Sequence, residues 1–427
     1  MILLYRIIST IIYPFLILLT IFRIFLKKEH KIRFKEKIFP QYFNVIKKSN
    51  SELIWFHAAS IGEFKSIIPI IDEINKNYKN IQILITTVTL SSANLAANEL
   101  KRFNNVEHRF FPLDIKFLIE KFLETWKPRV IFLVDSEIWP NLILSSKIKN
   151  IPLCVINARI TNKSFKRWML FPTASKKIFN SINLFLASNL ETTNFLSKLN
   201  VRNIVYNGNI KLLSQVNKKD LKNNNKDILL KNKFWIAAST HEGEENFCLQ
   251  THINLKEKFN NVITVIFPRH INRVFKIKKL SESLNLKTQL LNENETFLKD
   301  KEIIIVNSFG ELQKYFYYAK SVFMGKSILK GLKNVGGQNP IEAVKLGCKI
   351  YHGPYVYNFK EIYEILAKKL ISVQIENPSE LSSNLIMDFE NNIKNKNNIL
   401  REIDEIGKEV LNNTMKHINN LLNNEFQ

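Results

Sequence analysis

Cysteine is nearly absent from this chain, and what there is lies scattered. Cys154, Cys248 and Cys348 are the three cysteines among 427 residues. Their spacing matches neither a metal knuckle nor a redox pair, which excludes a disulfide framework and fits a reduced, cytoplasmic setting. Acidic residues are also in short supply: 38 Asp and Glu stand against 62 Lys and Arg, a net charge of +24. Such a balance selects anionic partners, whether nucleic acid, an acidic membrane or phosphorylated substrates. Zinc-ligand spacing, RNA-recognition signatures and strands that interleave aromatic with basic residues are all missing, so no nucleic-acid partner is expected. No Asp-x-Asp motif is placed to bridge a cation to a phosphate, and no metal or other cofactor is expected. Internal repeats and low-complexity domains are lacking too.

What is present begins with an apolar run from Ile7 to Phe22, bounded by Arg6 and Arg23 and interrupted by Pro14. It is slightly shorter than the ~20 residues that span a bilayer with ease. No small-residue cleavage site follows, so the run reads as a retained anchor. Lys27, Lys28, Lys31, Arg33, Lys35 and Lys37 crowd its C-terminal flank, which predicts that the rest of the chain faces the cytoplasm. The length suggests two further domains. Apolar runs predict strands at 53–57, 81–88, 106–111, 130–135, 153–157 and 184–188, then at 234–238, 262–267, 303–306, 321–325 and 349–352, separated by helical patterns. That alternation predicts an α/β chain with two parallel sheets. The expected division is an anchor over 1–28, a first Rossmann-like domain over 29–212, a polar linker over 213–233, and a second Rossmann-like domain with a helical tail over 234–427.

The segment Asn334 to Glu342 joins a Gly-Gly turn to a helix start, with Asn339 as cap, Pro340 at the first helical position and Glu342 at the third. Glycines permit close backbone approach, and a helix N-terminus attracts phosphate. Ser60-Ile61-Gly62-Glu63 reads either as a capping box or as a carboxylate whose desolvation suits it to take a proton. Arg269, after the strand ending in Pro268, is shaped to grip a phosphate. Asp135 and Glu137 stand two apart at the end of the fourth strand, Phe309-Gly310-Glu311 ends another strand, and Lys211 lies near the domain junction.

In their order and spacing these motifs resemble the 3-deoxy-D-manno-octulosonic acid (Kdo) transferases. The likeness runs through Trp55 to Glu63, Pro112-Leu113-Asp114, Glu137 to Leu142, Asn157-Ala158-Arg159, Gly208 to Lys211, Ser239 to Glu245, Pro268-Arg269-His270, Gly310-Glu311-Leu312, and Gly353-Pro354 with Asn358-Phe359. The resemblance implies a B-type glycosyltransferase fold, two Rossmann-like domains facing across a cleft. It further implies CMP-Kdo as donor and a lipid A precursor as acceptor at the cytoplasmic face of the inner membrane. By the same likeness Glu63 is the base, Asp135 and Lys211 stabilise the transition state, and Pro268, Arg269, Phe309, Gly310, Glu311, Asn339, Pro340, Ile341 and Glu342 hold CMP. The chain departs from the family in three places. Asp135 stands where Glu is usual, Lys326 where a Gly-Gly-Ser turn has its second glycine, and Gln338 where a Gly-Gly-His-Asn motif has histidine. The competing expectations are a twin-Rossmann transferase or epimerase that uses a UDP-sugar, and a non-catalytic basic adaptor at a membrane.

Overall fold

Strands buried on both faces are written as unbroken apolar runs, because helices cover each side of a parallel sheet. The computed structural model, which describes residues 1–44, 51–214, 216, 221–390 and 396–423, follows that rule in two separate sheets. The first contains β1 (Glu52–His57), β2 (Ile81–Thr87), β3 (Val106–Phe110), β4 (Val130–Val134), β5 (Leu153–Ala158), β6 (Leu184–Ala187) and β7 (Ile204–Tyr206). Its order is β3-β2-β1-β4-β5-β6-β7, all parallel. Alternation along β1 and β4 divides their side chains between two cores. Ile54, Phe56, Val130 and Phe132 pack with Phe64, Ile67 and Ile71 on one face, and Leu53, Trp55, Ile131 and Leu133 with Phe122 and Trp126 on the other. Burying each such side chain is worth roughly 1.5–3 kcal/mol, so the centre of the sheet is fixed from both sides.

The second sheet contains β8 (Lys233–Thr240), β9 (Val262–Pro268), β10 (Thr288–Leu291), β11 (Ile303–Val306), β12 (Ser321–Met324), β13 (Lys349–His352) and β14 (Ser372–Gln374). Its order is β10-β11-β9-β8-β12-β13-β14. In each sheet the chain first builds outward on one side and then crosses to the other. The resulting switch points lie between β1 and β4 and between β8 and β12, and open parallel sheets bind ligands outside the strand ends at such points.

The chain divides into one unit of residues 1–214 and 407–427 and another of residues 215–406. The ends of the second unit differ from the expected bounds. The helical tail, counted with the second domain but expected to pack back toward the first as in twin-Rossmann enzymes, does so: Val410, Met415, Ile418 and Leu421 enter the core of the first unit, and Thr414 accepts a hydrogen bond from Asn207 at 2.8 Å. The 213–233 segment is only partly a connector. Residues 215 and 217–220 lie outside the described residues, whereas Lys226–Lys231 is helical and the buried Asn225 accepts a hydrogen bond from the Phe297 amide at 2.6 Å.

The apolar N-terminal run is one helix, Ile2–Phe25, that lies along the first unit. Tyr5 donates to Asp114 at 2.8 Å, Arg6 donates to Asn141 at 3.3 Å, the Tyr13 hydroxyl donates to the Ile38 carbonyl, and Ile2, Tyr13 and Leu16 pack against the core. Its other face is bare: Leu3, Ile11, Phe15, Leu18 and Phe25 are exposed. The cationic flank is thinner than its sequence suggests. Lys37 is buried against Glu29 and Arg33 is paired with Glu36, so neither acts as a free surface charge.

Candidate active site

The loops that leave β1 and β4 carry the first group of residues. Ser60 caps the helix Ile61–Asn77, and the Glu63 amide donates to its hydroxyl oxygen at 3.3 Å. The Glu63 carboxylate accepts from the Ala59 amide at 2.8 Å and from the Ser60 hydroxyl at 2.7 Å. The capping box is therefore real. It also holds a carboxylate almost out of water, because Glu63 is 8% exposed. Burial lifts the Glu63 pKa above the ordinary 4.5, the negative charges of Asp135 and Glu137 lift it further, and the bonds from Ser60 and Ala59 oppose the rise. A carboxyl in this setting holds its proton to higher pH than usual and, once ionised, is a stronger base.

Asp135 sits just past β4 in the left-handed region, at φ 66°, a conformation that L residues adopt at a cost and that clusters at functional sites. It accepts from Lys211 Nζ at 2.9 Å and from Asn157 Nδ2 at 3.3 Å. Asn157 is itself left-handed and accepts from the Ile210 amide at 3.0 Å, which fixes the turn bearing Lys211. Glu137 is held differently: Trp139 Nε1 donates to it at 2.8 Å, and the fully buried His57 brings Nε2 to 3.4 Å. His57 has Nδ1 2.9 Å from Thr86 Oγ1 and its ring stacked on Phe111. Sequence reasoning overlooked His57 as a partner of Glu137. Its only signal was a polar residue ending an otherwise apolar strand.

The second group surrounds the ends of β8, β9, β11 and β12. Pro268 closes β9, and the Arg269 amide donates to the Thr240 carbonyl at 2.9 Å while its exposed guanidinium has no ion-pair partner among the described residues. Gly310 turns at φ 84°, Phe309 is exposed, and Glu311 pairs with Lys314 at 2.8 Å. Asn339 accepts from the Ile341 amide at 3.1 Å, so its side chain caps as expected, but the helix begins one residue late with Pro340 at the cap. That helix, Ile341–Lys345, and the one after Glu311, Leu312–Phe316, are five residues each. Barely more than one turn carries little macrodipole, so neither helix start offers the anion attraction expected of it.

One further expectation is corrected. A Cβ on Gly336 would come within 2.1 Å of the Tyr355 carbonyl oxygen, and Gly337 turns at φ 90° against Val356. The glycine pair thus admits the chain's own backbone rather than a ligand. Asn358 secures the same turn by donating to the Val335 carbonyl at 2.7 Å. The residue that sequence reasoning passed over is Glu244. Fully buried, it accepts from the amides of His241 (2.9 Å), Lys326 (2.6 Å), Ser327 (2.8 Å) and Ile328 (3.2 Å), and so ties the exit of β8 to that of β12. Among the described residues no three His, Cys, Asp or Glu side chains gather as a metal site.

On the flank of the first unit the helix Asn162–Met169 is amphipathic. Phe165 stacks on Phe195 at 4.6 Å and Trp168 meets Phe179 edge-on, while Lys163, Lys166 and Arg167 are exposed. Met169, Leu170 and Phe171 extend the exposed surface with apolar side chains.

Residues 33–214 match the family model described as 3-Deoxy-D-manno-octulosonic-acid transferase (kdotransferase). The chain is 34% identical over 346 residues to the Arabidopsis thaliana protein named "Probable 3-deoxy-D-manno-octulosonic acid transferase, mitochondrial", which covers 77% of this chain and 75% of that protein. It is 32% identical over 359 residues to the 3-deoxy-D-manno-octulosonic acid transferase of Rickettsia typhi, covering 82% and 73%. Among solved structures, the UDP-GlcNAc 2-epimerase of Neisseria meningitidis bound to UDP-GlcNAc superposes with a TM-score of 0.53 at 14% identity, over 85% of this chain and all of that one, a likeness of fold alone. With its two Rossmann-like units and the sequence identity it shares with these relatives, the chain belongs to the 3-deoxy-D-manno-octulosonic acid transferase family, a family of glycosyltransferases.

Proposed function

We propose that this chain transfers Kdo from CMP-Kdo to the phosphorylated glucosamine disaccharide of a lipid A precursor, with inversion, at the cytoplasmic face of the inner membrane. The observation that carries the reading is the convergence of Glu63 with the Asp135–Lys211 pair at the switch point of the first sheet. Glu63 takes the proton of the acceptor hydroxyl, whose oxygen forms a bond to the anomeric carbon of Kdo. The bond from that carbon to the CMP phosphate oxygen breaks, and its electron pair leaves with CMP. Asp135 faces the positive character that develops on the sugar, and Lys211 holds that carboxylate in place. Arg269 meets the charge gathering on the phosphate.

The acceptor assignment is supported by the flank of the first unit. Contacts at Tyr5, Arg6, Tyr13 and Leu16 tie the N-terminal helix down along its length, leaving an apolar outer face. A helix so held lies in the interface plane rather than standing across the bilayer. The exposed cations of Asn162–Met169 suit an anionic lipid. Incubation of the full-length protein with CMP-Kdo and a tetra-acylated lipid A precursor, with product mass measured, tests the reading. A mass gain of one or more Kdo units is expected. Transfer or epimerisation only with a UDP-sugar would assign the chain to another activity.

A further inference from the structure

Lys326 occupies a position built for glycine. It directly follows Gly325 at the carboxyl end of β12 and holds φ at 59°, in the left-handed region that glycine enters freely. The surroundings leave the backbone no alternative. The Gly325 amide donates to the Ala238 carbonyl at 2.8 Å, and a Cβ on Gly325 would stand 2.7 Å from the Ser239 carbonyl oxygen and from Thr240 Cα. The Lys326 amide donates to Glu244 at 2.6 Å, and its carbonyl accepts from the Gly337 amide at 2.7 Å. A long charged side chain retained at such a point does nothing for the turn itself, and a conformational outlier of this kind raises the question of function.

The side chain stands at the switch point of the second sheet, beside the exits of β8 and β9. His241, the first residue past β8, brings Nδ1 to 3.1 Å from the Ser239 carbonyl, and its ring lies edge-on to His270 with centroids 6.0 Å apart. Arg269 precedes His270. The Lys326 ammonium is close enough to His241 to disfavour protonation of that imidazole, after burial as the main cause. The neighbouring carboxylates form no ion pair with Lys326 or Arg269. Glu244 is occupied by four backbone amides, Glu245 by the two nitrogens of Arg273 at 2.8 and 2.9 Å, and Glu242 by Lys276. Among the described residues Lys326 has no ion-pair partner. The result is a pair of cations, Lys326 and Arg269, beside two imidazoles at the place where an open sheet receives its ligand.

We propose that Lys326 is a donor-binding residue, whose ammonium contacts the phosphate of the cytidine nucleotide in place of the backbone approach that glycine would permit. The proposal rests on the reading of the second unit as the CMP-Kdo site. A lysine acts there as a compact point charge, and its contact strengthens when the phosphodiester of the donor becomes the more highly charged monoester of CMP. Lys326 therefore favours the leaving group over the intact donor and holds the product nucleotide.

Calorimetric titration of the full-length protein with CMP and with cytidine, for wild type, K326G and K326M, tests this. Both variants should bind CMP about tenfold more weakly, the loss expected of one hydrogen bond to a charged group, and should bind cytidine as wild type does. K326G should also unfold at an equal or higher temperature, because glycine relieves the left-handed strain. CMP affinity unchanged in K326G and K326M overturns the proposal. So does an equal loss of CMP and cytidine, which would make Lys326 a support of the turn. Failure of the wild type to bind CMP while it binds a UDP-sugar would instead remove the donor reading on which the proposal stands.

Discussion

Lys211 Nζ lies 2.9 Å from Asp135 Oδ2, joining residues 76 apart in sequence past the carboxyl end of the central strand of the first sheet. Glu137, only two residues from Asp135, is excluded from that pair and bound instead by Trp139. The shorter side chain of aspartate still reaches the lysine because the backbone at 135 adopts φ 66° and Asn157 steadies both partners.

Asp135→Asn should therefore lower kcat by about 10²-fold or more, the scale of losing one placed electrostatic group. Glu137→Gln should keep most of kcat, since glutamine still accepts from Trp139. Steady-state kinetics on the two variants decides the matter. Loss with Glu137→Gln and retention with Asp135→Asn would transfer the role to Glu137.

Replacing Glu63 by Gln should reduce turnover by roughly 10²- to 10⁴-fold, as expected for loss of a general base, and should leave donor affinity intact. In wild type the acid limb of kcat/KM should lie above 4.5, because burial first and the Asp135 and Glu137 charges next raise the Glu63 pKa. Activity then rises with pH as Glu63 ionises. Stability runs the other way. The folded protein binds this proton more tightly than the unfolded chain, so the contribution of Glu63 is full below its unfolded pKa and is lost as pH rises through the folded value. Glu137→Gln removes one of the two charges and should move the acid limb downward.

The chemical step is expected to proceed without a divalent cation, since Arg269 and Lys326 can meet the charge on the leaving phosphate. Activity measured in excess EDTA should match the untreated enzyme. Abolition by EDTA with restoration by magnesium would contradict this account.

Charge reversal at Lys163 and Lys166 should raise the acceptor KM and spare donor affinity. Each exposed cation near an acidic surface contributes about 1 kcal/mol, so the double variant should weaken binding to anionic vesicles by at least an order of magnitude. An acceptor KM that does not move would show Asn162–Met169 to be a solvated surface helix.

Lys37 and Glu29 form a buried pair beneath the N-terminal helix, and Lys37 also donates to the Val88 carbonyl at 2.8 Å. Lys37→Ala leaves Glu29 uncompensated apart from the half-exposed Arg23. The cost should be about 3 kcal/mol, read from denaturant unfolding. A loss below ~1 kcal/mol would mean that Arg23 neutralises Glu29 unaided.

The central strands of both sheets were legible from sequence because burial on two faces demands unbroken Ile, Val, Leu and Phe. The strands that escaped, β7, β10 and β14, are three or four residues long and all stand at sheet edges. An edge strand has one neighbour and partial cover, so it needs no long apolar run. The Ser60–Glu63 cap was legible because its chemistry spans four residues. What sequence alone determined about this protein is what local rules encode: the strand and helix periods, the cap, the apolar N-terminal helix, and the ordered motifs that mark its family. Only the tertiary structure decided that Lys211 pairs with Asp135 and not Glu137, that His57 faces Glu137, that Glu244 binds four amides of two loops, and that Val410, Met415, Ile418 and Leu421 are the tail residues in the first unit's core. Each of these joins residues whose approach is set by strand order and by the direction a side chain takes from its backbone. Spacing along the chain carries neither, because distance in a parallel sheet depends on which crossover returns to which edge.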